Sequence, residues 1–218
     1  MKSKLYPLLV LLINYYSAIY IFIGISVPLL FDCTTLEVVL FFVAYIYLFP
    51  PFLCRLFITI WGRPVGTVNS NTKIFLYWWF LTQLQILFVR LPFLEEILRF
   101  FPGLYSLWLN LWGAQVSLLT YWSPGVTLTD RYHLNIEKGV IIGGGCRLGA
   151  HIITFTNDNL QCLTLAPITI ERHSVVGIHA AIGPGCRVYP QETVPAGKIL
   201  KPFYQWKDGK IRRPENSG

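Results

Sequence analysis

Four histidines, His133, His151, His173 and His179, are the side chains of this 218-residue sequence best suited to move a proton near neutral pH. An imidazole with an unperturbed pKa near 6.5 can accept the proton of an attacking hydroxyl or amine as a general base. Three of the four share one recurring position. His151, His173 and His179 each stand three places after an aliphatic residue (Leu148, Ile170 and Val176), in a slot that points outward if those aliphatics point inward. The elements that must hold them are therefore those built by that repeat.

The repeat has a period of six. Ile136, Ile142 and Leu148 are six apart, and after an interruption so are Ile170, Val176, Ile182, Val188, Val194 and Leu200. Gly143, Gly149, Gly177 and Gly183 directly follow four of them. Two places before the aliphatics stand Val140, Cys146, Ile152, Ile168, Ser174, Ala180 and Cys186, mostly small. A helix would need a period of 3.6 and a half-buried strand a period of 2. Six residues suit a coil with three flat sides, one short strand and one corner per hexad, stacked about 4.8 Å apart. Such a coil buries its interior only when several turns stack. Glycine is expected to permit the bend.

The interruption matters for the histidines. The step from Thr154 to Thr164 is ten instead of six, which predicts a four-residue bulge within 155–163. That count would put His151 and His173 on the same side of successive turns, stacked about 5 Å apart. A ten-residue loop would put them on different sides.

Ile142-Gly143, Leu148-Gly149, Val176-Gly177 and Ile182-Gly183 resemble the hexapeptide repeats of left-handed β-helix acyltransferases. Ala166-Pro167-Ile168-Thr169-Ile170, followed by Val176-Gly177 and Ile182-Gly183-Pro184-Gly185, is similar to the segment after that family's active-site loop. The resemblance covers roughly residues 122–203. It implies a homotrimer that moves an acyl group, often acetyl from acetyl-CoA, from CoA or a carrier-protein thioester to a hydroxyl or amine. It places a histidine base beside an extruded loop, here His151, with His179 and His173 as alternatives. The loop would carry Asn157, Asp158 and Asn159, and Asp158 or a backbone carbonyl would orient the ring. The donor arm would lie along Gly177, Ile178, Ala180 and Ala181, with Gly183 near it and Arg187 or the tail lysines meeting its phosphates. Backbone N–H groups beside Gly177 or Gly183 would hold the oxyanion. No resident metal is expected.

The first half has another character. Hydrophobic residues make up 54% of the chain and charged residues 13%, against about 25% charge in ordinary soluble domains. This excludes a disordered chain, a disulfide-dense miniprotein and a plain cytosolic enzyme. Five cysteines, an odd number without a CxxC, argue against a disulfide framework or a zinc knuckle. The apolar run Leu5–Phe31 is too long for a signal peptide and has no small-x-small cleavage site, so it reads as a retained transmembrane helix. Leu36–Trp61, kinked at Pro50-Pro51, reads as a second, joined by a tight connector at 32–35. Lys2, Lys4, Arg55, Arg63 and Lys73 flank the pair, while the connector has no Lys or Arg. The positive-inside rule then puts the remainder of the chain in the cytoplasm, at a bacterial inner membrane.

The expected organisation is a transmembrane hairpin over 1–62, interfacial amphipathic helices over 63–121, a left-handed parallel β-helix over 122–203 and a basic tail over 204–218. A third span within 75–113 is the alternative for the second segment. Asp130-Arg131 reads as a polar cap on the open end of the coil. The tail cations read as attracted to an anionic leaflet, making membrane lipid a partner and nucleic acid not one. Gly143-Gly144-Gly145 lacks the Lys-Ser/Thr of a phosphate loop. Two other functions use the same scaffold: a non-catalytic membrane-anchored scaffold, and a zinc enzyme like the γ-class carbonic anhydrases. The latter family spaces two of its histidines five apart, whereas His173 and His179 are six apart.

Overall fold

The computed structural model describes residues 5–70, 72–155 and 161–213. Its first half is helical. Helices α1 (Leu5–Asn14) and α2 (Tyr16–Leu29) meet at 60°. The first apolar run is therefore not the single straight span its length predicts. Asn14, the polar residue at the break, accepts a hydrogen bond from Trp79 Nε1 at 2.8 Å. Helices α3 (Thr35–Tyr47) and α4 (Phe49–Trp61) run on as one 27-residue apolar helix. At 1.5 Å per residue it is about 40 Å long, enough for a hydrocarbon core of about 30 Å. A capping box starts it: Thr34 Oγ1 accepts from Glu37 N, while Glu37 Oε2 accepts from Thr34 N at 2.8 Å. Pro50 and Pro51 lie in the first turn of α4, where a missing N–H costs little.

Helices α5 (Lys73–Arg90) and α6 (Phe93–Arg99) meet at 79°, and α7 (Leu104–Leu111) follows. By length and composition one helix can cross a membrane, and up to three spans exist if each bent pair counts as one. The segment expected to form interfacial amphipathic helices packs one face inward on the protein. Leu81, Leu84, Phe88, Leu94, Leu98, Trp108 and Trp112 share a hydrophobic core with the strands.

The second half is a set of parallel strands in three ladders. The first holds Gln115–Val116, Leu134–Ile136, Ile168–Ile170, Arg187–Val188 and Gln205–Lys207. The second holds Tyr121–Trp122, Ile141–Ile142, Val175–Val176 and Thr193–Val194. The third holds Thr127–Thr129, Arg147–Gly149, Ala181–Ile182 and Ile199–Leu200. The chain visits them in strict rotation, so each circuit adds one strand to each ladder. The six-residue grid is the register itself: Ile136, Ile170 and Val188 align, as do Ile142, Val176 and Val194, and Leu148, Ile182 and Leu200. All nine are buried, and the small residues Cys146, Ser174, Ala180 and Cys186 fill the corners beside them.

The grid reaches further than expected. Val116, Trp122 and Leu128 form a first circuit, and Trp206 begins a fifth by stacking on Val188. Residues 205–212 are therefore not a free tail: Lys210–Arg212 turns back antiparallel on Gln205–Lys207. At the other end, the Asn110 side chain imitates a strand. Its Oδ1 accepts from Val116 N at 2.7 Å and its Nδ2 donates to Val116 O at 2.8 Å.

The period breaks twice, from Leu128 to Ile136 and from Leu148 to Ile170, and both breaks follow the third ladder. Both surpluses thus emerge at the same corner, on successive circuits. The second is far larger than a four-residue bulge. It forms an antiparallel hairpin, His151–Phe155 with Gln161–Leu165, which adds Gly66–Asn69 as a third strand. Leu148 and Ile170 consequently belong to different ladders, and His151 and His173 are not stacked neighbours.

The register-matched glycines do not serve the bend. Gly177 has no positive φ, but a Cβ there would come within 2.5 Å of Ala196 N on the next circuit. The bend belongs to the residue three places after the aliphatic, which has positive φ at Gly145 and Gly185 and also at His173, His179, Gln191 and Phe203. Gly177→Ala is expected to destabilise the fold by about 1–3 kcal/mol through overpacking against backbone. The check is a lowered denaturation midpoint in the full-length protein.

Candidate active site

The shared corner brings together two residues that neither the repeat nor their separation in the chain would pair. Asp130 ends the first circuit in a left-handed conformation, φ 52°, which Asp tolerates better than most residues. His151 begins the hairpin one circuit later. Asp130 Oδ2 accepts a hydrogen bond from His151 Nδ1. Asp130 Oδ1 accepts from Trp78 Nε1 at 2.9 Å and from Tyr132 OH at 3.3 Å. The His151 ring also meets the Trp78 ring edge-on, with centroids 4.9 Å apart. Trp78 comes from α5, so the helical half supplies one wall of the site. That wall is extended by Leu163 and Leu165 of the hairpin, which pack on Trp78.

Charge follows geometry. Burial disfavours the imidazolium of His151, but the hydrogen bond and charge of Asp130 outweigh it and raise the pKa above the ordinary histidine value. Burial likewise opposes the ionised form of Asp130. The hydrogen bond and charge of His151, the nearby His133 and the Trp78 N–H together still hold that carboxyl below the usual range. With Nδ1 donating to Asp130, Nε2 carries the lone pair. His151 has 23% of its side chain exposed, and its Nε2 has no hydrogen-bond partner among the described residues. An oriented, accessible imidazole nitrogen beside a buried carboxylate is equipped to accept a proton.

Asp130 is held from its other side as well. Arg131 is buried among Phe88, Trp108 and Trp112, with its guanidinium within 6.0 Å of each ring centroid. Its Nε donates to Glu95 Oε1 at 2.7 Å, and its backbone N–H donates to Gln85 Oε1 at 2.9 Å. Glu95 in turn accepts from Tyr105 OH and Arg99. Asp130-Arg131 is thus not a polar cap on an open end, because both residues are built into the junction with α5 and α6.

The other expected site residues are not gathered here. His173 and His179 occupy corner positions of the third circuit, their rings lying over Gly139 and Gly145 of the second. His151, His173 and His179 stand at three different corners, and no group of three His, Cys, Asp or Glu poised for a metal occurs among the described residues. His133 is buried, and burial pushes its pKa below the ordinary value. Its ring lies with Nε2 2.8 Å from Pro64 O.

Gly177, Ile178 and Ala180 form the second corner of the third circuit, and Ala181 begins the strand that leads to Gly183. Ile178 is exposed, but the side chain of Ala180 is wholly buried and cannot line a groove. The Gly177 and Gly183 N–H groups themselves are spent on Val194 O and Leu200 O in the ladders, so an oxyanion there would have to take N–H groups beside them. Arg187 already pairs with Glu171. Asn157, Asp158 and Asn159 lie outside the described residues. The residues missed in the sequence are Trp78, Tyr132 and Asp130 in its orienting role, and the step of eight from Leu128 to Ile136 was the available signal for the last.

No protein-family model, curated protein or solved structure matches the chain.

In an NMR titration, His151 is expected to titrate above 6.5 in the wild type. In Asp130→Asn it should move down from the wild-type value, because burial then acts without the carboxylate. An unchanged titration would contradict the pairing.

Proposed function

We propose that this chain is a membrane-anchored acyltransferase of the hexapeptide-repeat type, its rotating ladders wound as a left-handed parallel β-helix. The observation that carries this reading is the His151–Asp130 pair at the one corner where a loop leaves the repeat. The hexad register and the resemblance of Ile142-Gly143, Leu148-Gly149, Val176-Gly177 and Ile182-Gly183 support it.

His151 Nε2 removes the proton of an acceptor hydroxyl as its oxygen attacks the carbonyl carbon of an acyl thioester. The tetrahedral intermediate collapses, the C–S bond breaks, and the proton passes from the imidazolium to the departing thiolate. An ester and a free thiol result. Asp130 keeps the ring oriented and offsets the imidazolium charge while it exists. The donor is acetyl-CoA or another CoA or carrier-protein thioester, and the acceptor is membrane-associated or a sugar. The exposed corner at Ile178 and the outward Ala181 lie on the face leading to the His151 corner, the side on which the donor arm would run. A homotrimer fits the outward apolar side chains of the second ladder, where exposed Tyr121 and Ile141 are in register. The helix Thr35–Trp61 anchors the protein, with the strands on the cytoplasmic side of a bacterial inner membrane, the side chosen by Arg55, Arg63 and Lys73.

A scaffold has no use for a buried carboxylate aligning a partly exposed imidazole, and a zinc site needs imidazoles that converge. With detergent-purified protein and labelled acetyl-CoA, transfer into lipid or sugar fractions is expected. His151→Ala should lower it by about 10²–10⁴-fold. Undiminished transfer in that variant, or none from any thioester by the wild type, would refute the proposal.

A further inference from the structure

Helix α5 presents different faces to different neighbours. Trp78, Leu81, Gln85 and Phe88 face the strands and the Asp130–Arg131 junction. Trp79, Gln83, Leu87 and Arg90, spaced at four, eight and eleven residues, share another face. That second face closes a cleft of about 520 Å³ against α2 and the break at Asn14. The cleft lies in the most apolar part of the chain, yet it is furnished with hydrogen-bond donors. Gln83 is only 7% exposed, and its amide has no hydrogen-bond partner among the described residues. The Tyr16 hydroxyl is buried without a partner there too. Asn14 uses Oδ1 to accept from Trp79, which leaves its amide N–H groups to donate. Ser17 adds a hydroxyl and Arg90 a cation, and no Asp or Glu lines the space.

An unsatisfied buried hydroxyl such as that of Tyr16 costs about 1–3 kcal/mol, and polar groups gathered in an otherwise apolar cleft usually mark a site. Donors around a single cation, without a carboxylate, select an anion. Leu84, Leu87 and Ile21 on the same walls select an apolar chain attached to it. We propose that this cleft binds the phosphate-bearing head and upper chain of an anionic membrane lipid, with Arg90 on the phosphate and Gln83 donating to it. The site is separate from the acyl-transfer machinery and does not depend on it.

Native mass spectrometry of the full-length protein, delipidated in detergent and loaded with phosphatidylglycerol or phosphatidylcholine, tests this. Phosphatidylglycerol should be retained preferentially. Arg90→Ala and Gln83→Leu should each weaken retention by about tenfold or more, as expected for losing a hydrogen bond to a charged group. Ile74→Ala, in the apolar groove on another face of α5, should leave it unchanged. The His151 NMR titration reports, independently of lipid, that each variant is folded. Equal retention of the two lipids, or retention untouched in both cleft variants, overturns the proposal. Displacement by millimolar inorganic phosphate alone overturns the lipid as occupant and assigns the cleft to a soluble anion.

Discussion

Parallel strands can stay in register over many circuits only if each circuit contains the same number of residues. Any surplus must leave at a corner, because the interior has no room for it and a flat side would lose its ladder hydrogen bonds. In this chain two surpluses leave, and both do so after the third ladder. The first is small and ends in a buried turn carrying Asp130. The second is the hairpin opened by His151. Adjacent circuits are about 4.8 Å apart, so two residues expelled at one corner on neighbouring circuits come within hydrogen-bonding reach. The acid and the imidazole meet because the repeat cannot accommodate either segment elsewhere.

That corner is also where the two halves of the molecule join. Asp130 answers to Trp78, and its neighbour Arg131 answers to Gln85 and Glu95, all from α5 and α6. Burying Arg131 and Glu95 together is costly unless each charge is fully satisfied. Here Glu95 accepts from Arg131, Arg99 and Tyr105, while Arg99 reaches on to Val126 O at 2.9 Å and Glu96 accepts from Gly125 N at 2.9 Å. The result fixes how the apolar helices sit on the first circuit. The orientation of His151 is therefore tied to the placement of α5 in the helical half.

Much of the strand half was legible because a six-residue register writes itself directly into side-chain type: Ile142, Val176 and Val194 must all be aliphatic to share one stack. The limits of the repeat were less legible. Val116, Trp122 and Leu128 obey the same spacing, but aromatic and helical surroundings mask them. The size of the excursion after Leu148 is hidden in the sequence because Thr154 and Thr164, both in the hairpin, mimic grid positions. His173 and His179 looked like candidates for chemistry because they are histidines, whereas their slot is a left-handed corner that Gly, Gln and Phe also fill. The partner of His151 could not be read from local pattern at all, since a carboxylate 21 residues away and a tryptophan from α5 converge only in three dimensions. In the helical half, hydropathy identified apolar runs but not their breaks: the 60° bend at Tyr15 has no proline or glycine to announce it, whereas the 79° bend falls at Leu91-Pro92.

The ends of the ladders have a consequence of their own. A stack of parallel strands exposes unpaired backbone at top and bottom, and such surfaces recruit further strands from other molecules. At one end the carboxamide of Asn110 already occupies the groups that Val116 would offer, and at the other the Lys210–Arg212 segment doubles back with its cations outermost. Both ends of the first ladder are thus closed to a further strand, which removes one of the three edges along which copies of this protein could fuse.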